Sequence, residues 1–134
     1  MGDWVGFRKS VLDEIRARAL ASDEEVCGLL LGTHGHVEAA LHCRNVAPDP
    51  VTSFEIDPAQ LIAALKAARS GGPQVVGCYH SHPSGAAEPS PRDAAEAVAN
   101  GWLWLIAARG ELALFRAVAN GRLHGRFDAV NFRL

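Results

Sequence analysis

The stretch Val75 to Asp93, Val-Val-Gly-Cys-Tyr-His-Ser-His-Pro-Ser-Gly-Ala-Ala-Glu-Pro-Ser-Pro-Arg-Asp, limits the folds open to this chain more than any other. Val75 to His80 has the apolar and β-branched content of a strand. Pro83 forbids a regular continuation, and the Ser84-Gly-Ala-Ala-Glu-Pro89 loop can fold back on it. Ser90-Pro91 then opens a helix, with Pro at the first helical position, where an N–H is not needed. Any fold must therefore bring a strand end and a helix start together across a short loop.

On a strand, residues two apart project to the same side, so His80 and His82 present imidazoles to one spot, roughly 7 Å apart along the chain. Asp93, in the first turn of the helix, is brought to that spot by the loop. Two neutral imidazoles and a carboxylate suit Zn²⁺, and three protein ligands leave a fourth tetrahedral position for water, as in catalytic sites. Water bound in this way loses a proton near pH ~7 and needs a base to take it. Glu25 is the candidate base. It stands at the threshold of the apolar run Val26 to Leu31, where neighbouring apolar surface raises a carboxyl pKa.

Ser90 carries two readings. Ser90-x-x-Asp93 fits a capping box, the commoner role of such a pattern; in the second reading, compatible with it, Ser90 donates a hydrogen bond to an oxyanion while Asp93 turns to the metal. Cys78 shares a strand face with His80 and His82, as a core residue, a further ligand or a nucleophile. His34-Gly-His36 repeats the His-x-His pattern but sits in turn context with no acid to complete it, so a solvated hairpin tip is expected. Trp102 and Trp104 read as one packed strand face, and His42 and His124 have no visible partners.

The rest of the chain supplies a scaffold. Ser10 to Ala21 has Val11, Leu12, Ile15 and Ala19 at helical spacing. Val26 to Leu31 and Val37 to Cys43 read as strands about a Thr33 to His36 turn, and Val51 to Ile56 as a short extended piece. Asp57-Pro58 opens a second helix with an apolar stripe of Leu61, Ile62, Leu65 and Ala68, stopped by Gly71-Gly-Pro73. The helix from Ser90-Pro91 is expected to end at Asn100-Gly101. Trp102 to Ala108, Leu112 to Val118 and Leu123 to Phe132 complete the set as strands, the last two joined at Asn120-Gly121. The order α, β, β, β, α, β, α, β, β, β predicts a mixed sheet with helices packed on it.

With 134 residues, 49% of them hydrophobic, the chain fits a single domain with its own core. The net charge of −2, with scattered Lys and Arg, argues against a nucleic-acid partner. The apolar runs are far shorter than the ~20 residues of a membrane helix, and the Met-Gly-Asp-Trp start does not resemble a secretory signal. Cys27, Cys43 and Cys78, odd in number and widely spaced, suit buried thiols in a reducing compartment. A cytoplasmic location is expected.

Together these residues resemble the signature of the JAMM (MPN+) zinc metalloprotease family. That signature is a glutamate followed well downstream by His-x-His-Pro, a ten-residue interval and Asp, with Ser three residues before the Asp. The interval Pro83 to Arg92 has this length. Glu25-Val-Cys-Gly-Leu-Leu-Leu-Gly32 is similar to the family's glutamate strand, and Phe54-Glu-Ile-Asp-Pro58 resembles the segment before its second helix. The resemblance implies a cytidine-deaminase-like α/β/α sandwich with a mixed sheet and three helices over residues 1–134, one zinc per chain, and hydrolysis of an amide or isopeptide bond. Carried over, it makes His80, His82 and Asp93 the zinc ligands, Glu25 the general acid/base and Ser90 the residue that steadies the oxyanion. Glu24 lacks the family's relation to Cys27-Gly28.

The compact chain has little room for the loops with which eukaryotic deubiquitinating relatives grip ubiquitin chains. It looks more like the short prokaryotic members associated with ubiquitin-like or sulfur-carrier proteins ending in Gly-Gly. The leading expectation is a peptidase that cuts after such a Gly-Gly tail, laid along a sheet edge beside the zinc. The alternatives are a non-catalytic scaffold module recognising a ubiquitin-like partner, and a cysteine hydrolase using Cys78 or Cys27. A zinc nucleobase deaminase is disfavoured, because no Cys-x-x-Cys follows a His-x-Glu.

Overall fold

The structure is a computed structural model that describes residues 3–134. The N-terminal Met1 and Gly2, part of the start read above for a signal, lie outside the described residues. Among the described residues, seven strands and three helices follow in the order β1 (Trp4–Phe7), α1 (Lys9–Leu20), β2 (Cys27–Thr33), β3 (His36–Cys43), α2 (Pro58–Arg69), β4 (Gln74–Ser81), α3 (Pro91–Glu96), β5 (Leu103–Ala108), β6 (Glu111–Gly121) and β7 (Gly125–Arg133).

The sheet is mixed and closes on itself as a barrel in the order β1-β3-β2-β4-β5-β6-β7. This corrects the expected cytidine-deaminase-like α/β/α sandwich. The decisive element is β1, a strand of 4 residues directly before α1. It pairs in parallel with β3, Phe7 opposite Val37, and with β7, Val5 opposite Phe132. Val5 and Phe7 are buried. Four residues are too few for a period-2 pattern to register, yet they bridge two strands that a sandwich leaves as edges. β1 meets β3 at His36 and Val37 and β7 at Asn131 to Arg133.

Three local expectations also change. Val51 to Ile56 is no strand and carries only the isolated bridge Asn45↔Ile56. Helix α3 stops at Glu96 because Ala97 turns to extended geometry and packs with the core cluster around Trp104. The last turn lies beyond Asn120-Gly121, with His124 and Gly125 at positive φ and a register shift in β6 between Ala117 and Gly121.

Apolar alternation explains the layering. All residues of β5 are buried, because both its faces are covered. Leu103, Leu105 and Ala107 join a cluster with Val11, Leu12 and Ile15 of α1. Trp104 and Ile106 join a second cluster with Cys27, Leu29, Cys78, Phe115 and Phe127, which Leu61 and Ala64 of α2 pack against. The expected α2 stripe is only partly used, since Ile62 and Leu65 are exposed. The Asp57 carboxylate accepts from the Ala59 amide, so the cap read from Asp57-Pro58 is present. An added Cβ at Gly28 would overlap the Tyr79 ring and the Leu41 carbonyl, so the β2–β4 approach requires glycine there. Among the described residues no helix is long and apolar enough to cross a membrane.

Candidate functional site

Strand β4 lies between β2 and β5, with His80 opposite Cys27 and Ile106. His80 is fully buried, its ring stacked on Phe54 at 4.2 Å between centroids and met edge-on by Trp104. The His82 amide continues the pairing by donating to the Ala107 carbonyl at 2.9 Å, and its Nδ1 faces the Ala86 carbonyl at 2.8 Å. That contact fixes the tautomer and turns Nε2 inward. Among the described residues His80 Nδ1 has no hydrogen-bond partner, so that side of the ring is held by packing.

Asp93 arrives from the first turn of α3. The capping box forms in full: Ser90 Oγ accepts from the Asp93 amide at 3.0 Å, and Asp93 Oδ2 accepts from the Ser90 amide at 2.9 Å. The same Oδ2 lies 3.1 Å from His80 Nε2 and 3.3 Å from His82 Nε2, and the two Nε2 atoms are 3.0 Å apart. Capping and convergence on the imidazoles are thus compatible. Four ligands about 2.1 Å from a central ion in tetrahedral array lie about 3.4 Å from one another. The triangle of two nitrogens and one oxygen fits a small divalent ion.

Glu25 lies just before β2 and is 6% exposed. Glu25, His80 and His82 offer ligand atoms within 4.8 Å of one another, a group able to hold a metal. Of the two carboxylates, Asp93 is the one in direct contact with both imidazoles. Their environments also push them apart. Burial raises the Glu25 pKa to about 7, with Asp93 and Glu96 adding to the effect against His82 and Arg92. Burial acts the same way on Asp93, but hydrogen bonds from His80 and His82 outweigh it and hold that carboxyl well below the usual range. Burial lowers the His80 pKa. Burial also opposes the His82 cation, but Asp93 and the Ala86 carbonyl outweigh it, and that pKa rises.

Ser90 sits at the rim, in a cleft of about 390 Å³ with Glu25, His82, Thr52, Glu88 and His124. His124, to which sequence reading gave no partner, faces the Pro89 carbonyl from the β6–β7 turn at 3.1 Å. A larger, apolar cavity of about 510 Å³ flanks the other side, lined by Phe54, Ile56, Cys78, Trp102 and Trp104. Phe54 was missed as a site residue, since its stacking depends on a loop whose path no residue spacing reveals. His34 and His36 are exposed at the β2–β3 tip, away from this cluster. His42 contacts the Tyr79 hydroxyl at 2.6 Å and Glu14 at 3.3 Å.

The three cysteines are free and buried. Burial pushes the Cys27 thiol up to about 12 and those of Cys43 and Cys78 upward as well, which disfavours the thiolate a cysteine hydrolase needs.

Residues 8–119 match the family of prokaryotic homologs of the JAB domain. The chain belongs to this family. Among similar proteins, one of Thermus thermophilus named a probable TtuB-protein conjugate cleaving protease is 42% identical over 90 residues, 66% of this chain and 60% of that protein. A desampylase of Haloferax volcanii is 38% identical over 102 residues, covering 74% of this chain and 73% of its own length. The fold resembles a solution structure from Desulfitobacterium hafniense, with TM-score 0.81, 27% identity and coverage of 97% of this chain and 92% of that one. It also resembles a JAB1/MPN domain protein of Archaeoglobus fulgidus at TM-score 0.59 and 17% identity, covering 99% and 100% of the two chains, a likeness of fold alone.

Proposed function

We propose that this JAB-family chain is a zinc-dependent hydrolase that cuts the peptide or isopeptide bond after the C-terminal Gly-Gly of a small ubiquitin-like or sulfur-carrier protein. The observation that carries the reading is the meeting of His80 Nε2, His82 Nε2 and Asp93 Oδ2 within 3.3 Å of one another, with a second, differently tuned carboxyl on Glu25 beside them. The names of the Thermus and Haloferax relatives, a conjugate-cleaving protease and a desampylase, support this substrate class.

His80, His82 and Asp93 would hold the zinc. When bound, it supplies a Lewis acid for the scissile carbonyl and acidifies the attacking water. Glu25, whose burial gives its carboxyl a raised proton affinity, accepts a proton from water at its carboxylate and returns it to the leaving amine nitrogen. Ser90 Oγ spends an acceptor lone pair on the Asp93 amide, so its hydroxyl proton is free to reach a developing oxyanion. The capping box of Ser90 and Asp93 keeps the start of α3 in place. The buried free thiols suit the reducing cytoplasm.

The test is to incubate the purified protein with a carrier extended beyond its Gly-Gly and to weigh the products. With zinc, the mass of the carrier ending in Gly-Gly is expected, and a chelator should prevent its appearance. An intact substrate at one zinc per chain, or cleavage indifferent to chelation, would contradict the proposal.

A further inference from the structure

The segment between β3 and α2 runs past both sides of the site, and one side chain organises it. Asn45 Nδ2 donates to the Glu25 carbonyl at 2.8 Å and the Ser53 carbonyl at 3.0 Å, with the Pro50 carbonyl at 3.5 Å. Its Oδ1 accepts from the amides of Ala47 at 3.0 Å and Glu55 at 3.1 Å. Only one orientation of the carboxamide satisfies these partners, because the nitrogen faces carbonyls alone and the oxygen faces amides alone. Glu25 itself lies outside the β2 ladder, and its amide donates to the Pro50 carbonyl at 2.7 Å. Both main-chain groups of Glu25 are therefore tied to the 46–56 segment, one directly and one through Asn45. The same segment presents Phe54 to the His80 ring and Thr52 to the cleft.

We infer that Asn45 is a positioning residue that fixes Glu25 relative to His80 by clamping the 46–56 segment to the Glu25 main chain. The inference rests on the hydrolase reading above for its effect on rate, and on geometry alone for its effect on the main chain. A displacement of about 1 Å in a reacting group costs on the order of 10²-fold in rate. Asn45 touches none of His80, His82 and Asp93, so zinc content is not its concern.

Two variants separate the halves of the clamp. Asn45→Ala removes both; Asn45→Asp keeps the acceptor for Ala47 and Glu55 and removes the donors to Glu25 and Ser53. Asn45→Asp should bind one zinc and keep KM within about threefold, while kcat falls by roughly 10²-fold. In single-turnover assays on a Glu25→Gln background, the same change should cost less than about twofold, because the group it positions is no longer active. Hydrogen exchange at the Glu25 amide, read on the folded protein, should quicken in both variants whatever the activity. Wild-type kcat in Asn45→Asp, or an equal loss in the Glu25→Gln background, would overturn the positioning role. Failure of the wild-type chain to cleave any carrier would instead count against the hydrolase reading. The clamp would then stand on the exchange rates, and unchanged exchange would overturn it.

Discussion

Replacing Glu25 with Gln separates what the carboxyl does for turnover from what it costs the fold. The side chain is 6% exposed, and burial moves its pKa from 4.5 to about 7. The fold thus favours the neutral acid, and between these two values the folded chain keeps a proton that the unfolded chain releases. Stability therefore falls as pH rises from 4.5 to about 7, and the full penalty remains above that. At about 1.4 kcal/mol per tenfold change in proton affinity, the penalty is about 3 kcal/mol. Gln has the shape of the neutral acid and does not ionise. In the presence of a chelator, Glu25→Gln should gain up to about 3 kcal/mol at pH 8 and nothing at pH 4, where both side chains are neutral. With an unfolding entropy of roughly 0.3 kcal/mol/K for a chain of this length, that is about 10 °C in Tm. Calorimetry from pH 4 to pH 8 is the assay. A Tm difference that does not change with pH, or a lower Tm for the variant at pH 8, would refute the reasoning. Added zinc should shrink the gain, because a cation favours the carboxylate.

Asp93→Asn keeps an acceptor for the Ser90 amide but offers a neutral ligand. Zinc affinity measured by competition with a chelating dye should fall by 10²-fold or more, beyond the 10–100-fold typical of lost supporting contacts, and unchanged affinity would exclude Asp93 as a ligand. Phe54→Ala uncovers the His80 ring, so in chelator the depressed His80 pKa should return towards its ordinary value in an NMR titration. Ile15→Ala, at a fully buried position in the α1 cluster, should cost 2–5 kcal/mol by denaturant unfolding, with zinc content intact in the folded fraction. Deleting residues 1–7 should open the barrel at β3 and β7, seen as concentration-dependent association by light scattering; a stable monomer with native Tm would show that closure contributes little.

The legible parts of this molecule are those written locally. His80, His82 and Asp93 occupy one strand, loop and helix start, so the period of a strand and the cap chemistry of Ser90-Pro91 suffice to place them together. Glu25 comes from the distant segment just before β2, but the buried run after it fixes its setting, and the structure brings it to the same cluster. Helices α1 and α2 begin where Ser10 and Asp57-Pro58 suggest, within one residue. What periodicity does not carry is closure, because β1 derives its structure from β3 and β7, distant in sequence. The early end of α3 is likewise a tertiary effect, with Ala97 drawn into the core. Phe54 and Asn45 were hidden for a third reason: their places depend on a turn stitched by one carboxamide rather than on a repeating pattern.

The claim that zinc is held by the two histidines with oxygen donors, and by no thiolate, is open to X-ray absorption at the zinc edge. The zinc-loaded chain should show two imidazole nitrogens and oxygen donors at about 2.0–2.2 Å. A sulfur scatterer at about 2.3 Å, drawn from the neighbouring Cys78, would contradict the assigned ligand set.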